Sequence, residues 1–268
     1  MPRRCARAAR RAGPEHAVPL FLGAARFAEN AWLVTQHEAA YRDMSPRQVA
    51  EQAFRMADGC LMSAKNDGIV HIGGFLGLRD RSLTERCELL LIATEGSPTY
   101  GGLAGRDLDT AAQGLTEVTE PGYLRARADA ARHLARLARE AGITIVEPPG
   151  LHALYLNAGR LLPHIAAHRF PGHALACLLC LEGGIRSVEP GSLYLGSEDE
   201  NGAPVTAAPY ELVRLALPRT TDGLGHLDYV GEVLAATVKD KERIPGYRLV
   251  EQPPLLRHFR CKLEPVPH

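Results

Sequence analysis

The first half of the chain alternates short apolar runs with amphipathic segments, and this pattern predicts strands and helices in turn. Residues 18–24 form an apolar run typical of a buried strand, and residues 27–41 follow with helical periodicity. A second helix is predicted to begin at Pro46, with Ser45 as its N-cap, and to end at Gly59. The alternation of strands and helices indicates an α/β fold.

Further elements are predicted between residues 68 and 96. The sequence GIVHIGGFLGLRD, residues 68–80, alternates like two short strands around a Gly-Gly turn. The sequence SLTERCE, residues 82–88, predicts a short helix. The sequence LLLIATEG, residues 89–96, is largely apolar and predicts a strand of the kind found in parallel sheets.

The pattern changes near residue 120, where a long amphipathic helix is predicted to end at Gly142. Its apolar stripe consists of Leu124, Ala128, Ala131, Leu134 and Ala138. The shorter strands and helices that follow indicate an α+β domain. We therefore predict a disordered leader over residues 1–17, a first domain over residues 18–119 and a second over residues 120–268.

The amino-acid composition is typical of a globular protein and argues against some classes of partner. The 268 residues are 46% hydrophobic and 23% charged, which is ordinary for a globular protein. Lys and Arg together number 31, as do Asp and Glu, and this zero net charge argues against a nucleic acid or an anionic membrane as a partner. No apolar run is long enough to predict a membrane-spanning helix.

Six cysteines are scattered along the chain, a distribution typical of reduced thiols in a cytoplasmic protein. Cys177 and Cys180 form a C-x-x-C within an apolar segment that is predicted to be helical, without a second such pair. We therefore expect both to be buried in a core rather than to bind zinc or undergo redox chemistry. No metal site is predicted.

Ten short runs of the sequence occur together in one order. They are ARFAENAW, ADGCLMSAKND, IGGFLGLRD, EGSPTYGGLAGRD, IVEPPGLHA, AGRLLPHI, FPGHALAC, GIRSVEPGS, ELVRLALPR and LLRHFRCKL. In this order they closely resemble the aromatic amino acid β-eliminating lyases, the family of tyrosine phenol-lyase and tryptophanase. The resemblance extends from about Val18 to about Leu263, and it starts well inside the family's chain.

The resemblance implies a fold-type-I enzyme that depends on pyridoxal 5′-phosphate (PLP). Residues 18–119 would then be the C-terminal part of the large PLP-binding domain, with a truncated, mostly parallel sheet, and residues 120–268 the small α+β domain. The family's phosphate-binding loop and much of its monovalent-cation (K+) site have no match here. The implied reaction converts tyrosine or tryptophan into phenol or indole, pyruvate and ammonia. The implied assembly is a homo-oligomer or an association with another chain.

Two positions that the lyase chemistry requires differ from the family pattern. The family's Ser-Gly/Ala-Lys-Lys-Asp run carries the cofactor as a Schiff base on its second lysine, and the matching run here is SAKND, residues 63–67. Asn66 therefore occupies the Schiff-base position, and an amide nitrogen cannot form the imine. The carboxylate that keeps the pyridine nitrogen protonated belongs to an Asp-Ala-x-Arg run, in which Gly23 replaces the aspartate here.

Other positions near the implied cofactor are retained. Lys65 is the alternative amine, although neighbouring side chains of an extended or turning chain point to different sides. Arg26 matches an arginine near the ring oxygen, and Ser63 matches a serine near the phosphate. Tyr100 matches a tyrosine near the site, although packing beside the adjacent Gly-Gly turn explains it equally well.

The resemblance also assigns positions that would contact the substrate. Arg219 matches the arginine that binds the substrate carboxylate, and a surface ion pair is the alternative interpretation. Pro190 stands where tyrosine phenol-lyase has an arginine and tryptophanase an apolar residue, and His258 matches a histidine of tryptophanase. These two positions favour tryptophan, whereas the run GLAGRD resembles the phenol-lyase. Leu151 replaces a glycine of the family and is expected to crowd the backbone.

Two hypotheses follow from these matches. Under the first, the chain is a PLP-dependent carbon–carbon lyase of aromatic amino acids. Under the second, it is a catalytically inactive remnant, or pseudoenzyme, that at most associates with an intact partner subunit. The expected lysine is missing at position 66, and the expected aspartate is missing at position 23. Because such residues act together in catalysis, their loss favours inactivity of this polypeptide.

Overall fold

The computed structural model of the protein describes residues 18–97, 99–198, 204–219 and 223–266. The helices are α1 (Phe27–His37), α2 (Pro46–Arg55), α3 (Arg81–Thr94), α4 (Gly105–Glu117), α5 (Pro121–Glu140), α6 (Ala158–Leu161), α7 (Pro171–Gly183), α8 (Ser192–Leu195), α9 (Leu224–Lys239) and α10 (Arg257–Arg260). The strands are β1 (Phe21–Gly23), β2 (Gly59–Ser63), β3 (Gly74–Leu78), β4 (Ala153–Asn157), β5 (Ser197–Glu198), β6 (Pro204–Thr206), β7 (Leu212–Ala216), β8 (Gly246–Glu251) and β9 (Lys262–Val266). This mixture of helices and strands confirms the α/β class.

The chain divides into two compact units, Met1–Ala126 and Arg127–His268. The division falls within α5, whereas the sequence predicts a domain boundary between residues 119 and 120. The leader predicted over residues 1–17 lies outside the described residues. Within the described ranges, no helix has the length and apolar character needed to cross a membrane.

The first unit contains a three-stranded sheet with the order β1-β2-β3. β1 and β2 are parallel, with Gly23 opposite Leu61, and β3 is antiparallel to β2. α1 and α2 pack on each other through a small apolar core. The predicted start of α2 is confirmed, since Ser45 accepts a hydrogen bond from the amide of Gln48 and the Gln48 side chain accepts one in return.

The strand predicted over residues 89–96 is wrong, because residues 81–94 form one continuous helix, α3, which includes the helix predicted over residues 82–88. Its N-cap is Asp80, whose carboxylate accepts a hydrogen bond from the amide of Leu83 at 2.6 Å. A short apolar run has no periodicity that separates a strand from a helix, so residues 89–92 were read as a buried strand. No residue of α3 is buried in the structure.

The two strands predicted over residues 68–80 are also partly wrong. Only β3 forms in this segment, and its partner is β2, which lies before the segment and was not predicted as a strand. The helix α4 was not predicted either. Gly114 of α4 lies against the backbone of Gly68, where a side chain on Gly114 would have no space, so a glycine is needed for this close approach.

The second unit is built on one large apolar core. α5, α7 and α9 pack against the antiparallel pair β4 and β7. The predicted stripe of α5 is confirmed, since all five of its residues are buried, and Gly142 follows the helix with a φ of 82°. Residues 143–148 were predicted as a strand and contribute only a single bridge, between Ile145 and Leu156.

Two further predictions for the second unit need correction. The segment RHFRCKLE was predicted as a strand, and its first four residues instead form α10, ahead of β9. Cys177 is half-buried and Cys180 is exposed, so the prediction of a buried pair is wrong. The buried face of α7 includes Ala174, Leu175 and Leu179, and Cys180 falls one position beyond it.

Candidate functional site

The C-terminal ends of β1 and β2 bring together the positions that the resemblance assigns to PLP. Because the two strands are parallel, Gly23 and Ser63 end at the same edge of the sheet. Residues 64–68 then form a turn, which is closed by hydrogen bonds from Ala64 N to Gly73 O (3.0 Å) and from Asn66 N to Ser63 O (3.2 Å).

Asp67 fixes this turn to the start of α1. Its side chain is fully buried, and Oδ2 accepts hydrogen bonds from the amides of Ala28 (2.8 Å) and Glu29 (3.4 Å). Its own amide donates to the carbonyl of Ala25 at 3.1 Å. The carboxylate thus accepts hydrogen bonds from amides at the N-terminal, positive end of α1. Arg26 is the N-cap residue, but its side chain makes no capping hydrogen bond. The role of Asp67 was missed from the sequence, because the amides it caps lie 38 and 39 positions away.

Lys65 and Asn66 occupy different surroundings in the turn. The side chain of Lys65 is exposed, whereas Asn66 is partly buried, as is Ser63 at the end of β2. Arg26 lies at the start of α1, with its Nη1 atom 3.9 Å from Oε2 of Glu29. The structure therefore places Gly23, Arg26, Ser63, Lys65 and Asn66 in one region of the first unit.

These side chains do not match what a covalently held PLP needs. At position 66, which the resemblance assigns to the Schiff base, an imine would need a primary amine, and Asn66 supplies an amide. Protonation of the pyridine nitrogen needs a carboxylate at the end of β1, and Gly23 has no side chain. Within the described part of the chain, apart from Gly23 and its two chain neighbours, no heavy atom lies within 4 Å of the point where a Cβ on Gly23 would stand, so no acid from elsewhere fills that space.

Tyr100 lies in a different turn of the first unit, between α3 and α4. A bridge to Ser97 closes this turn, and Gly101 follows with a φ of 82°. The Tyr100 side chain is largely exposed.

Arg219 follows β7 in the second unit, and the backbone before it is held by Arg127. The Arg127 side chain is buried, and its guanidinium donates hydrogen bonds to the carbonyls of Pro218, Leu217 (2.8 Å) and Leu151 (2.9 Å). Leu151, which was expected to crowd the backbone, is buried and supplies one of these carbonyls. No local sequence signal predicts the role of Arg127, because Leu151, Leu217 and Pro218 lie 24 to 91 positions along the chain.

Pro190 and His258 flank the short helix α8. Pro190 lies two residues before Ser192, and the ring of His258 contacts that of Tyr194, with 4.0 Å between centroids and 52° between the ring planes. A cavity of about 700 Å³ lies beside α8, with Tyr194, Gln252, Leu256 and His258 among its lining residues. His258 Nε2 is buried without a hydrogen-bond partner in the described ranges, so a planar ligand could stack here and form one hydrogen bond.

Comparisons with known proteins agree on one family. A family model described as beta-eliminating lyase matches residues 1–233. The tryptophanase of Hyphomonas neptunium is 42% identical over 260 residues, covering 96% of this chain and 56% of the relative. The tryptophanase of Salinibacter ruber is 45% identical over 248 residues (92% and 52%), and the tyrosine phenol-lyase of Pasteurella multocida is 39% identical over 251 residues (94% and 55%).

The chain therefore spans about half the length of the curated relatives it matches. Among solved structures, a serine palmitoyltransferase of Sphingomonas wittichii is similar over 75% of this chain and 45% of that chain. The TM-score of this match is 0.45 and the sequence identity 16%.

Proposed function

Since the chain belongs to the beta-eliminating lyase family, we propose that its ancestral reaction is the β-elimination of tryptophan or tyrosine, and that this polypeptide alone does not catalyse that reaction. One observation carries the proposal. The partly buried position of the turn after β2, where the reactive lysine is expected, holds Asn66. When bound in such an enzyme, PLP supplies the electron sink for the elimination, and Gly23 offers no carboxylate to support that role.

A second candidate function is an active lyase in which Lys65 supplies the amine. The exposed amine of Lys65, one residue from the expected position, favours this alternative. It requires the turn to rotate, however, and the turn is held by the buried Asp67 and by two backbone hydrogen bonds. We therefore prefer the first proposal.

A titration with PLP separates these two functions. We expect the purified protein to develop no visible absorption band of a protein–PLP imine, and to release no pyruvate from tryptophan or tyrosine. Lys65→Ala is the matched variant, since it removes only the alternative amine. A band that disappears in Lys65→Ala, together with pyruvate release by the unmodified protein, would establish the second candidate and refute the first.

For the ancestral substrate we propose tryptophan. The support comes from the apolar Pro190 before α8 and from His258, whose ring contacts that of Tyr194 in the lining of the cavity. Arg219 would bind the substrate carboxylate through two parallel hydrogen bonds. We also propose a cytoplasmic location, which is supported by the free thiols of the five described cysteines.

We further propose that the first unit associates with a second chain, either another copy or a partner subunit. Leu89, Leu90 and Ile92 of α3 are 68%, 66% and 53% exposed. A helix with consecutive exposed apolar residues is typical of one that is covered in a larger assembly. Among the described strands, β1 and β3 each pair only with β2, so both edges of the sheet can accept another strand.

Size-exclusion chromatography with light scattering tests this association. We expect the protein to form oligomers or aggregates, and Leu90→Lys to shift the distribution towards the monomer, because a charge on α3 opposes burial of that surface. Leu181→Lys is the control, since Leu181 is 80% exposed on α7 in the second unit. A monodisperse monomer that unfolds cooperatively, or equal effects of the two variants, would contradict association through α3.

A further inference from the structure

Two buried glutamates lie on either side of Gly191, just before α8. Glu189 and Glu211 are only 8% and 7% exposed. A Cβ on Gly191 would stand 2.5 Å from Oε2 of Glu211 and still closer to Oε1 of Glu189. Hydrogen bonds between Val188 and Arg214 tie together the two backbone segments that carry the glutamates. The fold therefore holds two carboxyl groups close together in a region from which water is largely excluded.

The hydrogen bonds of the two glutamates are unequal. Glu211 accepts hydrogen bonds from the amide of Ser192 (3.1 and 3.2 Å to its two oxygens) and a short one from the Ser192 hydroxyl. Glu189 Oε1 accepts a long bond of 3.4 Å from the amide of Leu193, and Glu189 Oε2 has no partner in the described part of the chain. Burial raises the pKa of both carboxyl groups, but the bonds from Ser192 partly offset this for Glu211, so Glu189 is the group that holds a proton.

The other charged and titratable groups around Glu189 do not compensate a negative charge on its carboxyl group. Arg257 of α10 lowers the pKa of Glu189, but its guanidinium is bound to the carbonyls of Ser192 (2.7 Å), Leu193 (2.9 Å) and Gly196 (2.9 Å). Cys261 is a thiol whose pKa is raised, chiefly by burial. On α7, which meets Glu189 at Gly172, His173 instead contacts Cys177 and Tyr247.

We propose that the Glu189–Glu211 pair is a proton-operated latch: α8 stays docked while Glu189 keeps its proton, and it undocks as that proton is released to solvent. The amides of Ser192 and Leu193 in α8 contact the two carboxyl groups, and the carbonyls of these residues and of Gly196 bind Arg257. α8 also carries Tyr194, which lines the cavity and contacts the ring of His258. The latch therefore couples pH to the shape of this cavity, and it requires neither PLP nor an amino acid substrate.

The direction of the pH effect follows from proton linkage. Burial and the charge of Glu211 raise the pKa of Glu189 from its usual 4.5 to about 8. Undocking returns the carboxyl group to water, so between pH 4.5 and about pH 8 the docked state holds one proton more than the undocked state. Docking is therefore strongest at and below pH 4.5, weakens about tenfold per pH unit above it, and levels off above the raised pKa.

Hydrogen exchange at the amides of Ser192 and Leu193 measures this undocking, because they donate to the carboxyl groups of Glu211 and Glu189 and lose these bonds when α8 moves away. The unmodified protein and Glu189→Gln are compared at equal pH, so that the intrinsic exchange rate cancels. From pH 6 to pH 8 we expect the ratio of their exchange rates to rise about 50-fold, since the glutamine cannot release a proton and the effect begins to level off near pH 8. Glu182→Gln, at an exposed site on α7, should exchange like the unmodified protein at every pH.

A ratio that stays constant from pH 6 to pH 8 would overturn the latch. If Glu189→Gln does not fold, carboxyl carbon NMR of the unmodified protein decides the question instead. A glutamate that titrates near pH 8 would then support the latch, and the absence of any glutamate that titrates above pH 7 would refute it.

Discussion

Asn66→Lys is expected to give the protein covalent PLP binding, which under the proposed function the unmodified chain does not have. The substitution places a primary amine at the partly buried position of the turn after β2, where the family resemblance locates the reactive lysine. Addition of Gly23→Asp is expected to tighten binding about tenfold, because a charge-assisted hydrogen bond to the pyridine nitrogen contributes about 1.5–3 kcal/mol. The open space around Gly23 can accept the new carboxylate.

Borohydride reduction followed by peptide mass analysis identifies the lysine that carries PLP. In Asn66→Lys the label is expected on residue 66, and it should persist when Lys65→Ala is added. Gln113→Lys is the matched control, because it adds an exposed lysine to α4 of the same unit and should gain no specific label. Labelling spread equally over the surface lysines of both variants would refute the assignment of position 66.

The family could be predicted from the sequence because it rests on ten ordered runs, and the family match confirms it. Elements with strong local signals were also predicted correctly. Ser45 and Pro46 start α2 as expected, and the stripe of α5 that includes Leu124 and Leu134 is buried. In each case the deciding interaction lies within a few residues of the signal, or the periodicity extends over several turns of helix.

The sequence-based predictions are wrong or incomplete where the residues that contact each other lie far apart along the chain. Residues 89–92 resemble a buried strand in isolation, and only the continuous hydrogen bonding of α3 shows them to be helical. Asp67 caps a helix that begins 40 residues earlier, and Glu189 meets Glu211 through the folding of the second unit. The sequence therefore predicts which residues match the family, but not which buried polar groups hold those residues in place.

Arg127→Met is expected to lower the free energy of unfolding of the second unit by about 4 kcal/mol. The guanidinium of Arg127 is the shared donor to the carbonyls of Leu151, Leu217 and Pro218, and its loss leaves three acceptors in a buried region. Each unsatisfied buried group costs about 1–3 kcal/mol, and the methionine recovers part of the apolar packing. Arg219 follows these carbonyls directly, so the substitution should also displace the arginine assigned to the substrate carboxylate.

Urea unfolding followed by circular dichroism measures the loss, with Arg132→Met as the matched control. Arg132 lies on the same helix but is exposed, and it pairs with Asp129 at the surface, so its removal should change stability by less than about 0.5 kcal/mol. Arg127→Lys should fall between the two, because one ammonium group cannot reproduce the planar fork that reaches all three carbonyls. Equal stability of Arg127→Met and Arg132→Met would show that Arg127 does not hold the chain before Arg219.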